Sequence, residues 1–139
     1  MLILSLITFC LISDSISYQY RQTLISDSVR EISFFVKIPT HRLQATLVSD
    51  SNLYKYEVRI IVYDRKKRQI GGDFWINEKI VDSESPPPFF LDTFKIVAPT
   101  GPVKIRLLLK DSFSEKYFQI WEDLEPLFFI VSFLIHHAK

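Results

Sequence analysis

Few side chains in this sequence have the type and spacing to do chemistry. Its three histidines are His41, His136 and His137. Metal sites draw on clustered His, Cys or carboxylate ligands. No His-x-x-x-His pair occurs here, and the adjacent His136 and His137 would point to opposite faces of a strand. They read as a solvated tail. His41 has the chemistry of a general base, but no nucleophile-elbow pattern accompanies it. Gly71-Gly72 is a lone pair rather than a phosphate-cradling loop, and reads as a bulge or bend. Asp64, Asp73 and Asp111 stand near turns where calcium could be held, yet no spaced acidic loop motif joins them. The expectation is a chain without catalytic residues, metal or cofactor.

What remains is binding. With a net charge of +1 and interspersed acids and bases, neither nucleic acid nor an anionic membrane surface is the expected partner. The one basic run, Arg65 to Arg68, reads as a solvated hairpin tip. Tyr63, Trp75 and Tyr117 are the candidate binding residues if one sheet face presents exposed aromatics, as a carbohydrate-binding sandwich would. An apolar edge strand open to a partner would instead suit protein contact. The expected function is a non-enzymatic module for protein contact or a structural role. Its rivals are a carbohydrate-binding sandwich and an accessory domain cut from a larger secreted protein.

The elements that would carry these residues follow from alternation. In Leu53 to Val62, Tyr54, Tyr56, Val58, Ile60 and Val62 share one face, while Lys55, Glu57 and Arg59 share the other. That period of two marks a half-buried β-strand. Asp64 to Arg68 is a charged turn, and Ile70 to Val81 is the returning strand with Phe74 and Trp75 at its centre. Further strands are expected at Tyr18 to Ser26, Glu31 to Ile38, Phe89 to Val97, Val103 to Lys110 and Lys116 to Leu124. Arg42 to Val48 is another, with Leu43, Ala45 and Leu47 turned inward. Polar or proline-containing turns separate them, and Asp82 to Pro88 is expected to cross between two sheets. Seven or eight short strands at this spacing predict an all-β, antiparallel sandwich of the immunoglobulin or fibronectin type. Trp75 and Trp121 are its expected core anchors.

The chain has 139 residues, 47% apolar and 14% aromatic, which suits one domain with a sizeable core. Met1 to Ile12 is uncharged, almost wholly apolar and too short to span a bilayer. Small polar residues follow, and Ser13-x-Ser15 and Ser15-x-Ser17 both fit a cleavage site. Residues 1–17 are therefore expected to be a signal peptide, residues 18–125 the sandwich, and residues 126–139 an apolar strand or tail. Removal of the leader would discard Cys10, the only cysteine. Phe9 stands where a lipid-anchor motif needs a small residue, which argues against lipid on Cys10. Phe128 to Ile135 is apolar, β-prone and free of proline, and an added edge strand is the expectation.

Four segments carry a resemblance. KIPTHRLQA, LYKYEVRIIVYDRKKRQIGGDFW, FFLDTFKI and GPVKIRLLLKDSFSEK resemble, in that order, the N-terminal β-sandwich region of bacterial GWxTD-domain proteins. The likeness runs from about Ser33 to Glu122. The naming motif Gly-Trp-x-Thr-Asp is absent, since neither Trp75 nor Trp121 follows a glycine. The domain that carries that motif would lie beyond Lys139. The resemblance implies a secreted bacterial protein and a sandwich fold, and no chemistry.

Overall fold

A computed structural model describes residues 3–4, 15–82 and 84–127. Cys10, Phe128 to Ile135 and the two tail histidines lie outside the described residues. Among the described residues there are nine strands: β1 Ile3–Leu4, β2 Ser17–Leu24, β3 Val29–Pro39, β4 Thr46–Val48, β5 Ser51–Tyr63, β6 Gln69–Asp82, β7 Phe89–Pro99, β8 Val103–Asp111 and β9 Tyr117–Leu124. All paired neighbours run antiparallel. One sheet has the order β1-β2-β3-β7. In the other, β5 lies between β6 and β8, β9 follows β8, and the short β4 pairs with the start of β5. Leaving aside β1 and β4, a three-stranded sheet, β2-β3-β7, faces a four-stranded sheet, β6-β5-β8-β9. This is an antiparallel sandwich of the immunoglobulin and fibronectin type. The proline loop crosses from β6 in one sheet to β7 in the other. It is fastened where the Thr40 N–H donates to the Pro88 carbonyl at 3.0 Å.

Alternation decides which side chains meet between the sheets. Tyr56, Val58, Ile60 and Val62 of β5 are fully buried with Ile105, Leu107 and Leu109 of β8. Ile32, Phe34, Val36 and Ile38 of β3, and Phe90, Phe94 and Ile96 of β7, meet them from the opposite sheet. Lys55, Glu57 and Arg59 point outward as their parity requires, although neighbouring strands half-cover Lys55 and Glu57.

Two sequence expectations are corrected. Trp121 is not a core anchor: it is 47% exposed. Its β8 partner is the outward Arg106, so it shares that face, while Phe118 and Ile120 take the inward positions. Arg42 to Val48 is not one strand. Thr40–Arg42 is a 3-10 turn, Leu43 is buried, and Leu47 in the three-residue β4 is 68% exposed, because β4 reaches only the first residues of β5.

An inward arginine that alternation had not flagged closes one end. Arg30 has the parity of Ile32 and Phe34 and is fully buried. Its Nη1 donates to Gln22 Oε1 and to the Glu125 carbonyl, both at 2.8 Å, and Nη2 donates to the Gly101 carbonyl at 2.5 Å. Burial pulls its guanidinium down to about 10, so it is still a cation at neutral pH. The Leu127 N–H bonds the Thr100 carbonyl beside it, at 2.9 Å. One side chain thus ties β2, the β7–β8 turn and the residues after β9.

Ile60→Ala removes part of the fully buried inward row of β5 and is expected to cost about 2–5 kcal/mol. The check is a shifted urea midpoint at unchanged slope. Trp121→Ala should cost clearly less. Equal losses for the two would mean that the inward face has been misassigned.

Candidate functional site

The outer face of the four-stranded sheet is built from the residues that the core rejects. From β6 it takes Ile70, Phe74, Ile76, Glu78 and Ile80, and from β5 Leu53, Lys55, Arg59, Ile61 and Tyr63. β8 adds Lys104, Arg106 and Lys110, and β9 adds Tyr117 and Trp121. The β6 row is the apolar part: Ile70 is 44% exposed, Phe74 42%, Ile76 53% and Ile80 70%. Cations fill the middle. The Arg59 guanidinium lies 5.3 Å from the Phe74 ring centre. Lys104 and Arg106 lie 5.4 and 5.3 Å from the Trp121 ring. Tyr63 packs on Trp121 at 5.7 Å with the rings tilted by 33°.

The outer side of β6 is also an open sheet edge: among the described residues it pairs only with β5. The direction of its free backbone groups can be worked out. The Ser112 N–H donates to the Lys55 carbonyl at 2.9 Å, so Lys55 directs its backbone toward β8. Its β6 neighbour Glu78 therefore directs N–H and C=O to the open edge, as do residues at steps of two from it. Gly72, Phe74, Ile76 and Ile80 belong to that set, and Ile70 lies where the ladder slips. The Phe74 N–H agrees, since it is held by Asp73 Oδ1 at 2.8 Å and not by β5.

Gly72 leaves a dent in this face. A Cβ there would come within 2.7 Å of the Ile60 carbonyl oxygen, so only glycine fits. The ladder slips beside it, with Val62 opposite Gly71 and Tyr63 opposite Gln69. The Gly71-Gly72 pair thus sits at an irregularity, as expected. An open hollow of about 640 Å³ results, with Arg59, Ile61, Ile70 and Phe74 among its walls.

The candidate aromatics do not form one row. Tyr63 and Tyr117 share the outer face, but the register places them six strand positions apart, about 20 Å. Trp75 is opposite the inward Val58 and packs on Phe94 of the other sheet at 5.1 Å. Its place on the face is taken by Trp121, whose signal was its register with Arg106. The apolar β6 row was also missed, though the spacing of Ile70, Phe74, Ile76 and Ile80 was there to be read. His41 is exposed on the 3-10 turn.

The three aspartates are each used locally. Asp64 accepts the N–H groups of Lys66 and Arg68 and the Arg68 side chain, all at 2.8–2.9 Å, and these bonds hold its carboxyl below the usual range. Asp111 is buried and accepts the Gln44 N–H at 2.8 Å and the Ser114 hydroxyl at 2.6 Å. Asp73 caps the β6 edge. Among the described residues, no three or more His, Cys, Asp or Glu are grouped to hold a metal ion.

Compared with known proteins, the chain matches no family model and no curated sequence.

A half-buried ion pair closes the seam beside the open edge. Lys79 of β6 points inward and its Nζ meets Asp92 Oδ1 of β7 at 2.8 Å, joining the two sheets. Burial outweighs this pairing and pushes the Asp92 carboxyl above its ordinary value; Oδ2 has no hydrogen-bond partner. A raised folded-state value means that the native state holds this proton more tightly than the unfolded chain does. Asp92's contribution is then fully present below its ordinary value of 3.8 and is lost as pH rises through the raised one. Asp92→Asn should therefore change the pH dependence of stability between that value and neutrality. Urea unfolding of both proteins across this range checks it. Parallel curves would contradict the buried-carboxylate account.

Proposed function

We propose that this chain is a non-enzymatic protein-interaction module that works through the outer face of its four-stranded sheet and the open edge of β6. The observation that carries the reading is the β6 row. Four large apolar side chains are exposed on a strand whose outer backbone groups have no strand partner among the described residues. Strand addition uses this combination: backbone bonds supply affinity, and alternate side chains supply selectivity. The tilted Tyr63–Trp121 pair, already covered by Lys104 and Arg106, suits a sugar ring less well than a flat aromatic platform would. That favours a protein ligand over a carbohydrate.

The apolar run Met1 to Ile12 supports an exported location, and the four resembling segments support kinship with the GWxTD N-terminal sandwich. Ile16 belongs to the core, which favours processing after Ser15 over processing after Ser17, and processing at either point gives up the pairing of Ile3–Leu4 with β2. The mature protein is expected to begin at Ile16, as read by intact mass of exported material. Retention of Met1 would count against export.

A photo-cross-linking residue placed at Ile76 in cells tests the interaction reading. It should yield protein adducts, whereas the same residue at Val97, exposed on the other sheet, should not. Absence of adducts at Ile76 would refute the reading.

A further inference from the structure

We propose that the partner at this edge is a second copy of the same chain, joined by antiparallel pairing of β6 with β6 about a two-fold axis at Trp75. The assignment rests on the interaction reading above and adds the occupant and the register.

Self-complementarity of the row is the argument. A two-fold axis running through one residue pairs positions equally distant from it on either side. With the axis at Trp75, Ile70 stands opposite Ile80 of the second copy, Phe74 opposite Ile76, and Gly72 opposite Glu78. Five of the six, Gly72, Phe74, Ile76, Glu78 and Ile80, belong to the set whose N–H and C=O groups face the open edge, and Ile70 lies at the ladder slip next to it. These five are therefore the residues that can exchange backbone bonds across the new ladder. Every large apolar residue of the row meets another, and no charge meets a like charge. Moving the axis to Ile76 puts Phe74 opposite Glu78 and Ile70 opposite Asp82. Moving it to Phe74 puts Ile70 opposite Glu78. Only the Trp75 register among these keeps the apolar set together.

Charge agrees with the same register. Glu78 of the second copy lies over Gly72, where the face has no side chain, and the hollow there has one cation, Arg59, and one acid, Asp73, in its wall. Within one chain Glu78 has only a 3.7 Å approach to Lys55. The acid of each copy can thus approach the Arg59 guanidinium of the other, which lies over the Phe74 ring, through the dent that Gly72 leaves. The Phe74 N–H exchanges its bond to Asp73 for the Ile76 carbonyl of the incoming strand. The two four-stranded sheets become one continuous sheet of eight strands.

Sedimentation velocity on the full chain, carrying Cys10→Ser, is the first measurement, with near-UV circular dichroism as the check on folding. A concentration-dependent dimer is expected. Ile76→Lys should weaken it at least about tenfold, the loss of one well-placed contact. Glu78→Arg should weaken it as well, and adding Arg59→Glu should restore it. This exchange keeps the test open even where Ile76→Lys fails to fold. For the register, the Ile70→Cys, Ile80→Cys double variant should form a disulfide-linked dimer on mild oxidation, because opposed residues of an antiparallel pair stand about 4.5–5.5 Å apart, within disulfide reach. Neither single variant should do so. A chain that stays monomeric, a dimer indifferent to these substitutions, or cross-linking by a single variant would overturn the proposal. If the chain is monomeric while Ile76 photo-cross-links to a different protein, the second copy is wrong and the interaction reading stands. If Ile76 forms no adduct of any mass, both fail.

Discussion

The inward row of β5 is the constraint on which the rest of this structure depends. Tyr56, Val58, Ile60 and Val62 are fully buried, and β5 is flanked by β6 on one side and by β8 on the other. With no disulfide between the described sheets, apolar contact across the sandwich must hold them together. Side chains alternate strictly, so fixing this row fixes the facing of every strand in register with it. Arg59, Phe74, Arg106 and Trp121 are on the outer face because their ladder partners are on it. The candidate surface is a consequence of the core and not a separate construction.

Polar groups inside the sandwich act at its ends and seam. Arg30 brings a cation into the interior with three oxygen acceptors and no carboxylate among them. An arrangement of this kind is weak evidence for net stability, since removing a cation from water costs much of what its bonds return. What it does supply is connection: two of the acceptors are backbone carbonyls from separate loops. Asp111 does the same at the opposite end of β8, holding the β8–β9 turn and the segment around Gln44. Lys79 and Asp92 join the sheets where β6 and β7 come together. At each of these three places a charged side chain joins segments that lie far apart in the sequence or in different sheets.

Much of this was legible in the sequence, and the misses have physical causes. Alternation in Leu53 to Val62 and Val103 to Leu109 is clean, and those strands and facings were read directly. The proline loop was legible as a crossing because Pro86-Pro87-Pro88 cannot continue a ladder. Tryptophan misled, because size suggests burial and parity decides it. Trp75 and Trp121 both sit in runs where adjacent residues are large, so composition leaves the facing open and only the partner strand settles it. Arg30 was overlooked because a charged residue two positions before Ile32 looks like the end of an inward row. Its interior role depends on carbonyls of Gly101 and Glu125, some 70 and 95 residues away. The apolar row of β6 was visible as spacing. That it lies on an open edge is a property of sheet order, which no local pattern reveals.

Sheet edges in soluble proteins are ordinarily protected, because a row of free N–H and C=O groups will accept any extended chain. β6 carries protection of three kinds. Asp73 occupies the Phe74 N–H, Lys79 turns a charge inward beside the edge, and the irregularity at Gly71 bends the strand. Yet the outer row keeps its exposed isoleucines and phenylalanine, where lysine or glutamate would have been the simpler defence. Both observations are compatible if the edge is closed to most strands and open to one that can displace the Asp73 bond. Such a strand must offer apolar side chains at the right alternate positions and an acid where Gly72 leaves space beside Arg59. Selectivity of this kind comes as much from what is refused as from what is bound. It places the discrimination in the few residues between Ile70 and Ile80.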